Sequence, residues 1–470
     1  MKFKILTAIS TASIIALTGC DKLSDFGGTN NNPNGTTVPS ASALLTNVEA
    51  GLGSYGFQTR GGLYCQYFSE TQYTDVSLYS IPQIDFVGTY TSSLEDLQNI
   101  INLKVNNSQT AIAMILKSYI LWNLTDQFGA IPYTQALTGG LSAPGYDVQE
   151  TIYKGLIKDL TDAVAMFDGS LVSGDVIFSG NQDAWKKAAN SIRLLMALRL
   201  SKVYPGASDY AATEFKNAIT AGVITSNSEN FVVKYPGGNF QNPIFAVYNG
   251  REDYGESATM TDVMSSLGDD RQTVFGGASL TNDEPSNVGM PYGLKRDDAV
   301  AFTTANPGWA RVFRGSYRTD NAPIYLITAS QVALARAEAA QRGWTSENVK
   351  SWYQAGITAS FLQWGLAGPG DDYFSQSNVN LTAGTELNKI ALQRYIATYP
   401  DGMQGWAEWR RTGVPVLSPA PDATNDGTIP RRYQYGQGEY STNPNAIANT
   451  GLGDLTPNKD LSSSKVWWDK

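Results

Sequence analysis

The chain has 470 residues, 42% of them apolar and 16% charged, with 34 basic and 43 acidic side chains and a formal net charge of −9. That length suits one large domain or two or three ordinary ones, and the acidic balance argues against a nucleic-acid partner, which leaves a basic footprint. There is no histidine and only two cysteines, Cys20 and Cys65, which excludes histidine-dependent triads, histidine zinc sites and a disulfide or cysteine-rich metal framework.

Met1 to Cys20 reads MKFKILTAISTASIIALTGC. Lys2 and Lys4 precede a short apolar run from Ile5 to Leu17, a layout that belongs to a signal peptide and is too short to span a bilayer. Leu17-Thr18-Gly19-Cys20 is a lipobox, in which the cysteine is diacylated and becomes the new N-terminus. Residues 1–19 are thus expected to be a lipoprotein signal peptide. Residues 20–38, rich in Gly, Asn and Thr, are expected to form a lipidated flexible tether. Residues 39–470 remain as a single domain. Two or three acyl chains anchor stably where one is marginal. Cys65 is expected to be a buried, small apolar residue without a partner.

Helical periodicity begins at Ser108–Asp126, where Ala111, Met114, Ile115, Tyr119 and Trp122 recur on one face. Asp147 and Glu150 have the spacing of a capping box ahead of Ile152, Leu156, Leu160, Val164 and Phe167. Asp183 is expected to cap a helix from Trp185 to Tyr204, ended by Pro205. Ala211–Ala221 is a shorter helix closed by Gly222. Pro323 sits at an expected first helical position, and an alanine-rich helix runs from there to Arg342. After Trp344-Thr345, a partner helix places Val349, Tyr353, Ile357, Phe361 and Trp364 together, with Gly356 permitting close approach. Another helix spans Glu386–Thr398. Antiparallel pairs with small residues at the contact are the unit of tetratricopeptide-like arrays, although the strict repeat consensus is absent. Gly51–Tyr90, Gly237–Arg318, Gly365–Thr382 and the tail beyond Val414 read instead as long aromatic loops, which points to recognition on a rigid scaffold.

Several motifs then align in order. Asn32 to Asn34 follow the lipobox. Thr125–Tyr133 (TDQFGAIPY) resembles the pattern D-x-[FY]-G-x-[IV]-P-Y, and Trp185–Arg199 (WKKAANSIRLLMALR) resembles W-x-K-x-A-N-S-L-R-L-x-x-A-x-R. Ala337–Ala340 with Gly343-Trp344 is similar to A-E-A-x-x-x-G-W, and Trp406–Pro415 (WAEWRRTGVP) to W-x-[ED]-x-R-R-T-G-x-P. Ile429–Arg432 with Glu439, Asn443 to Asn445 and Trp467-Trp468-Asp469 complete the series. On these residues the chain resembles the SusD/RagB family of outer-membrane lipoproteins, in particular its second SusD-like branch. The resemblance implies a mainly α, SusD-like fold: four tetratricopeptide-like helix pairs supporting long irregular ligand-binding loops. It also implies a partner, a SusC-like TonB-dependent outer-membrane transporter on which the lipoprotein sits as a lid. The implied task is capture of a nutrient, usually an oligosaccharide and in some members a peptide, at the cell surface, with no cofactor.

Within these motifs, Arg193, Arg199, Arg410, Arg411, Arg431 and Arg432 are read as structural, their planar forks locking loops onto helices with Asp126, Glu338 and Glu408 as partners. Trp122, Trp352, Trp364 and Trp406 fall in helical patterns and are read as core. Sugars present C–H faces and hydroxyl edges, so their sites pair aromatic faces with polar rims. The irregular segments offer Tyr73, Asp75 and Tyr79 in one region and Arg251, Tyr292 and Trp309 in another. Trp309, outside any helical pattern, is the first choice for an exposed platform. Paired carboxylates such as Asp269-Asp270 and Asp371-Asp372 raise glycosidase chemistry, but Asp269-Asp270-Arg271 resembles the family's D-P-R turn, and the chain is read as a binding protein without a catalytic residue. No spaced calcium loop is visible and no metal is expected. A scaffold that holds other proteins is the remaining reading.

Overall fold

Apolar spacing and capping chemistry set most helices where the sequence places them. The protein is described here in a computed structural model covering residues 39–140, 143–447, 450, 455–456 and 459–470. The signal segment, Cys20, the tether and Asn32 to Asn34 lie outside the described residues. Eight helices form the frame: α1 Asn107–Phe128, α2 Gln149–Met166, α3 Gln182–Arg199, α4 Tyr210–Ala221, α5 Ala329–Gln341, α6 Val349–Gln363, α7 Glu386–Thr398 and α8 Gly402–Thr412. Ala41–Lys470 is one compact unit. Strands among the described residues are two to four residues long and pair only in twos, so the fold is mainly α. No helix among them is long and apolar enough to cross a membrane.

The helices pack as consecutive pairs, α1 with α2, α3 with α4, α5 with α6 and α7 with α8. Their side-chain contacts show the antiparallel sense. Gln149 at the start of α2 donates to the Thr125 carbonyl near the end of α1, 2.7 Å away. Asn190 midway along α3 reaches the Ala221 carbonyl that ends α4, and Arg193, further along α3, pairs with Glu214, earlier in α4. Across α5 and α6, Ser330 donates to the Gly356 carbonyl at 2.7 Å, while Arg336 lies 3.5 Å from the ring centre of Trp352. A Cβ on Gly356 would come within 2.6 Å of Leu334, so glycine there lets the two backbones meet.

Three helix starts differ from expectation. Asp147 does not cap α2. Its carboxylate accepts from the Tyr133 and Thr134 amides and the Thr134 hydroxyl, and Val148 stands at the N-cap without a side-chain bond. For α3 the cap is Asn181, whose oxygen accepts from the Asp183 and Ala184 amides, leaving Asp183 in the first turn. Pro323 opens no helix. Ile324–Ile327 is a strand antiparallel to Phe231–Val233, in keeping with its branched residues, and α5 starts after Thr328 with a full Thr328/Gln331 capping box. The segments read as loops also contain helices, among them Thr59–Tyr64, Ala258–Leu267 and Arg296–Ala305.

Trp122, Trp185, Trp406 and Trp468 are fully buried and Trp364 nearly so. Cys65 is buried with no disulfide. Two of the motif arginines, Arg199 and Arg411, join with Arg394 into one ionic network. Arg411 binds both oxygens of Glu338, at 2.5 and 2.7 Å, and Glu408 at 2.7 Å. Arg394 holds Glu408 at 3.0 Å, and Arg199 lies between Glu408 at 3.4 Å and Asp126 at 3.5 Å. All are buried, so the network fastens α1, α3, α5, α7 and α8 from inside. Arg431 grips Asp469 through two 2.6 Å bonds and Arg432 pairs with Asp460, which ties the C-terminal segment to the turn after α8.

Candidate ligand-binding site

A short antiparallel ribbon builds the site. Phe68–Glu70 pairs with Tyr254–Glu256 in the register Phe68↔Glu256, Ser69↔Gly255 and Glu70↔Tyr254. Tyr73 and Arg251 lie three residues beyond the Glu70/Tyr254 pair on either strand, so the ladder delivers them to the same place. Bonds past the ribbon continue the pairing: Thr71 N–H to the Asp253 carbonyl at 3.0 Å, the Thr71 hydroxyl to the Glu252 carbonyl at 2.5 Å, and Gln72 Nε2 to Asp253 Oδ1 at 2.5 Å.

Tyr73 is 52% exposed. The Arg251 guanidinium lies 5.4 Å from its ring centre and that of Arg296, at the start of the helix Arg296–Ala305, 5.8 Å, within cation–π range. Arg251 is itself ion-paired to Asp253. Along the same helix, Val300, Thr303 and Thr304 wall a recess of about 370 Å³ completed by Thr71, Gln72, Glu252, Trp309 and Arg311. An exposed ring carrying two cations beside a polar recess can stack on an apolar ligand face and donate to its hydroxyl or carbonyl edge.

The other expected residues fall differently. Trp309 lines the recess but is only 3% exposed, so it is not the solvent-facing platform expected. Arg311, two residues on, covers its ring at 3.7 Å while bonding the Ala278, Pro307 and Trp309 carbonyls and Glu252. Tyr79 is buried, with φ +62°. Its hydroxyl accepts from the Ala420 amide at 3.1 Å and meets Tyr292 at 3.4 Å. These two tyrosines pin the Tyr73 loop to the segment after α8 and do not face solvent as a pair. Asp75 is exposed on that loop, where its carbonyl accepts from Ser80. The structure thus brings Tyr73 and Arg251 together, with Asp75 exposed on the same loop as Tyr73, while Trp309 lines the recess that their neighbours Gln72 and Glu252 also line. Sequence reasoning passed over Arg296, Gln72 and Arg311. Arg296 lay in a segment read as loop, its helix unrecognised, and nothing local links it to Tyr73.

Asp269 belongs to the frame. Arg271 holds it through 2.9 and 2.6 Å bonds, and the Tyr373 hydroxyl donates at 2.6 Å. Burial pushes its pKa up, but Arg271 and Tyr373 outweigh burial and keep it below the ordinary carboxylate value. No group of His, Cys, Asp and Glu among the described residues is arranged to hold a metal ion.

Two buried carboxyls support the ribbon. Burial raises Glu256 to about 8, against one opposing hydrogen bond from Gln272, and raises Glu70 to about 7, opposed mainly by the Ser77 amide. Both favour the neutral form in the folded protein, so their contribution is complete below the unfolded value near 4.5 and is lost as pH rises through about 7 to 8. Glu256→Gln is expected to remove part of this loss. In thermal melts from pH 5 to 9, the variant should fall less steeply than the wild type and be the more stable by about 1–3 kcal/mol at the alkaline end; parallel curves would refute the assignment.

The family model SusD-like_2, described as "Starch-binding associating with outer membrane", matches residues 33–436. Among solved structures, a chitin-binding protein is 26% identical over 92% of this chain and 100% of its own, with a TM-score of 0.77. A chitin-binding SusD homolog from Flavobacterium johnsoniae shares 24% identity over 92% of this chain and 98% of its own, at TM-score 0.78. A SusD homolog from Bacteroides fragilis, 21% identical over 92% and 100%, reaches 0.79. These last two likenesses speak to the fold alone. No curated protein matches.

Proposed function

This chain belongs to the SusD-like_2 family, and from that premise we propose that it captures a nutrient glycan at the outer membrane and passes it to a SusC-like TonB-dependent transporter. The observation that carries this reading is the half-exposed Tyr73 ring with Arg251 and Arg296 in cation–π range, its chain neighbour Gln72 lining the Trp309 recess. A sugar ring lays its C–H face on the tyrosine, and its hydroxyls accept from the guanidiniums. The family description names starch and the 26%-identical relative binds chitin, so both polymers are apt probes.

In this proposal Cys20 is acylated and 20–38 is a leash, with the protein facing outward. Tethering beside a barrel turns each handover into an intramolecular event, so modest affinity suffices and release stays fast. Recognition here requires no bond to be made or broken.

Tyr73→Ala is expected to weaken binding about tenfold, or about 1.4 kcal/mol, while the helical circular-dichroism signal stays unchanged. Affinity electrophoresis in soluble starch and in glycol chitin measures it. Retardation equal to that of the wild type in every gel that slows the wild type would remove Tyr73 from the site.

A further inference from the structure

A second recess lies elsewhere, a half-enclosed cleft of about 670 Å³ between the segment Phe86–Asn102, the loop after Ile131–Pro132 and residues 439–443. It shares no residue with the Trp309 recess. Its volume is that of a small-molecule site. No lysine or arginine is among its lining residues, while Glu95 and Glu439 are, which disfavours an anionic ligand.

Amides dominate the polar wall, and hydrogen bonds fix which way several of them face. Lys117 donates to Gln98 Oε1 at 2.7 Å, and Gln98 Nε2 donates to Asn102 Oδ1 at 2.9 Å, which leaves Asn102 Nδ2 as a free donor. The Gly145 amide occupies Gln135 Oε1 at 2.8 Å, leaving Gln135 Nε2. Asn443 spends its NH₂ on the Pro144 carbonyl at 3.1 Å, leaving Oδ1 as acceptor. Glu439 receives the Tyr146 hydroxyl on Oε2, and its Oε1 remains open. The Asn99 side chain makes no hydrogen bond among the described residues and offers both functions. Exposed Val87 and half-buried Leu137 add apolar surface to the lining.

From this arrangement we propose that the cleft is a second, independent binding site for a neutral polyhydroxylated ligand, a glycan segment. The lining offers both donors and acceptors and no cation, which matches hydroxyls that both give and take hydrogen bonds. Because the amides are oriented beforehand, little ordering accompanies binding. The proposal rests on the glycan reading above and extends it: two sites on one body let a polymer chain be held at two points, so its retention exceeds that of a short oligosaccharide.

The test compares the purified wild type, the double variant Asn99→Ala/Gln135→Ala and the double variant Tyr73→Ala/Arg251→Ala by affinity electrophoresis in soluble starch and glycol chitin, with melting temperatures as the fold control. The cleft variant is expected to lose at least fivefold in polymer affinity at an unchanged melting temperature, and combining all four substitutions should abolish retardation. A cleft variant that migrates like the wild type, while the Tyr73 variant loses affinity, overturns the second site and leaves the glycan reading standing. A wild type slowed by neither polymer, nor by xylan or pullulan, overturns both.

Discussion

Glu338→Ala is expected to destabilise the protein by about 3–5 kcal/mol, because it leaves buried guanidiniums without their counter-charge. Glu338 accepts both ends of Arg411, sits 2.8 Å from Arg342 and 3.5 Å from Arg394, and is 2% exposed. Burial pushes its carboxyl up, yet the arginines prevail and hold it at about 2. Arg411 also serves Glu408, and Arg394 and Arg199 share Glu408 in turn, so the loss propagates to α3, α7 and α8. Urea unfolding followed by far-ultraviolet circular dichroism measures the change. A shift below about 1 kcal/mol, the range of an exposed pair, would contradict the role assigned to the network. Its pH dependence is opposite to that of Glu256. With a depressed folded value, Glu338 contributes above the unfolded value near 4.5 and loses that contribution as pH falls toward 2. The frame therefore weakens at the acid end and the ribbon at the alkaline end.

Gly402→Ala is expected to be as damaging by a different route. The first turn of α8 lies against the helix Thr59–Tyr64 so closely that a Cβ on Gly402 would stand 2.2 Å from both the Gln58 carbonyl oxygen and the Gly62 nitrogen. Those are backbone atoms, and relief requires the two helices to separate. Gly61 and Gly405 are similarly hemmed, by the Gly402 carbonyl and the Tyr67 ring. Overpacking at such a point costs about 3 kcal/mol or more, which should appear as a loss of soluble yield or a large fall in melting temperature. Gly51→Ala, where a Cβ meets nothing within 4 Å, is the matched control and should melt within a degree or two of the wild type.

The helical frame was legible because its signals are local. Apolar spacing located α2 and α6, and α7 runs from Glu386 to Thr398 as read from the sequence. The motif arginines proved structural because arginines clustered around Gly and Pro turns have carbonyls and carboxylates to bridge. Capping was read less well, since Asp147 and Asn181 are equally good caps on paper and only the tertiary partner Thr134 decides that Asp147 is otherwise engaged. Trp309 misled for a related reason. A tryptophan outside a helix looks available, and the guanidinium that covers it comes from two residues along the same chain segment. The Tyr73 cluster was half legible, with Tyr73 and Arg251 named but Arg296 missed, because the ribbon that joins them pairs residues nearly two hundred positions apart. The cleft wall had a signal that went unread: Glu95, Gln98, Asn99 and Asn102 share one face of the helix Glu95–Leu103, a polar stripe too regular for a loop and too uncharged for a simple solvated surface.

The three-residue ribbon also has an evolutionary consequence. Of the proposed site, Tyr73 and Arg251 hang beyond Glu70 on one side and before Tyr254 on the other, and backbone bonds hold the ladder whatever the side chains there may be. Descendants of this chain can rewrite those tips, exchanging tyrosine for another ring or arginine for an amide, and so change diet while inheriting the bundle intact.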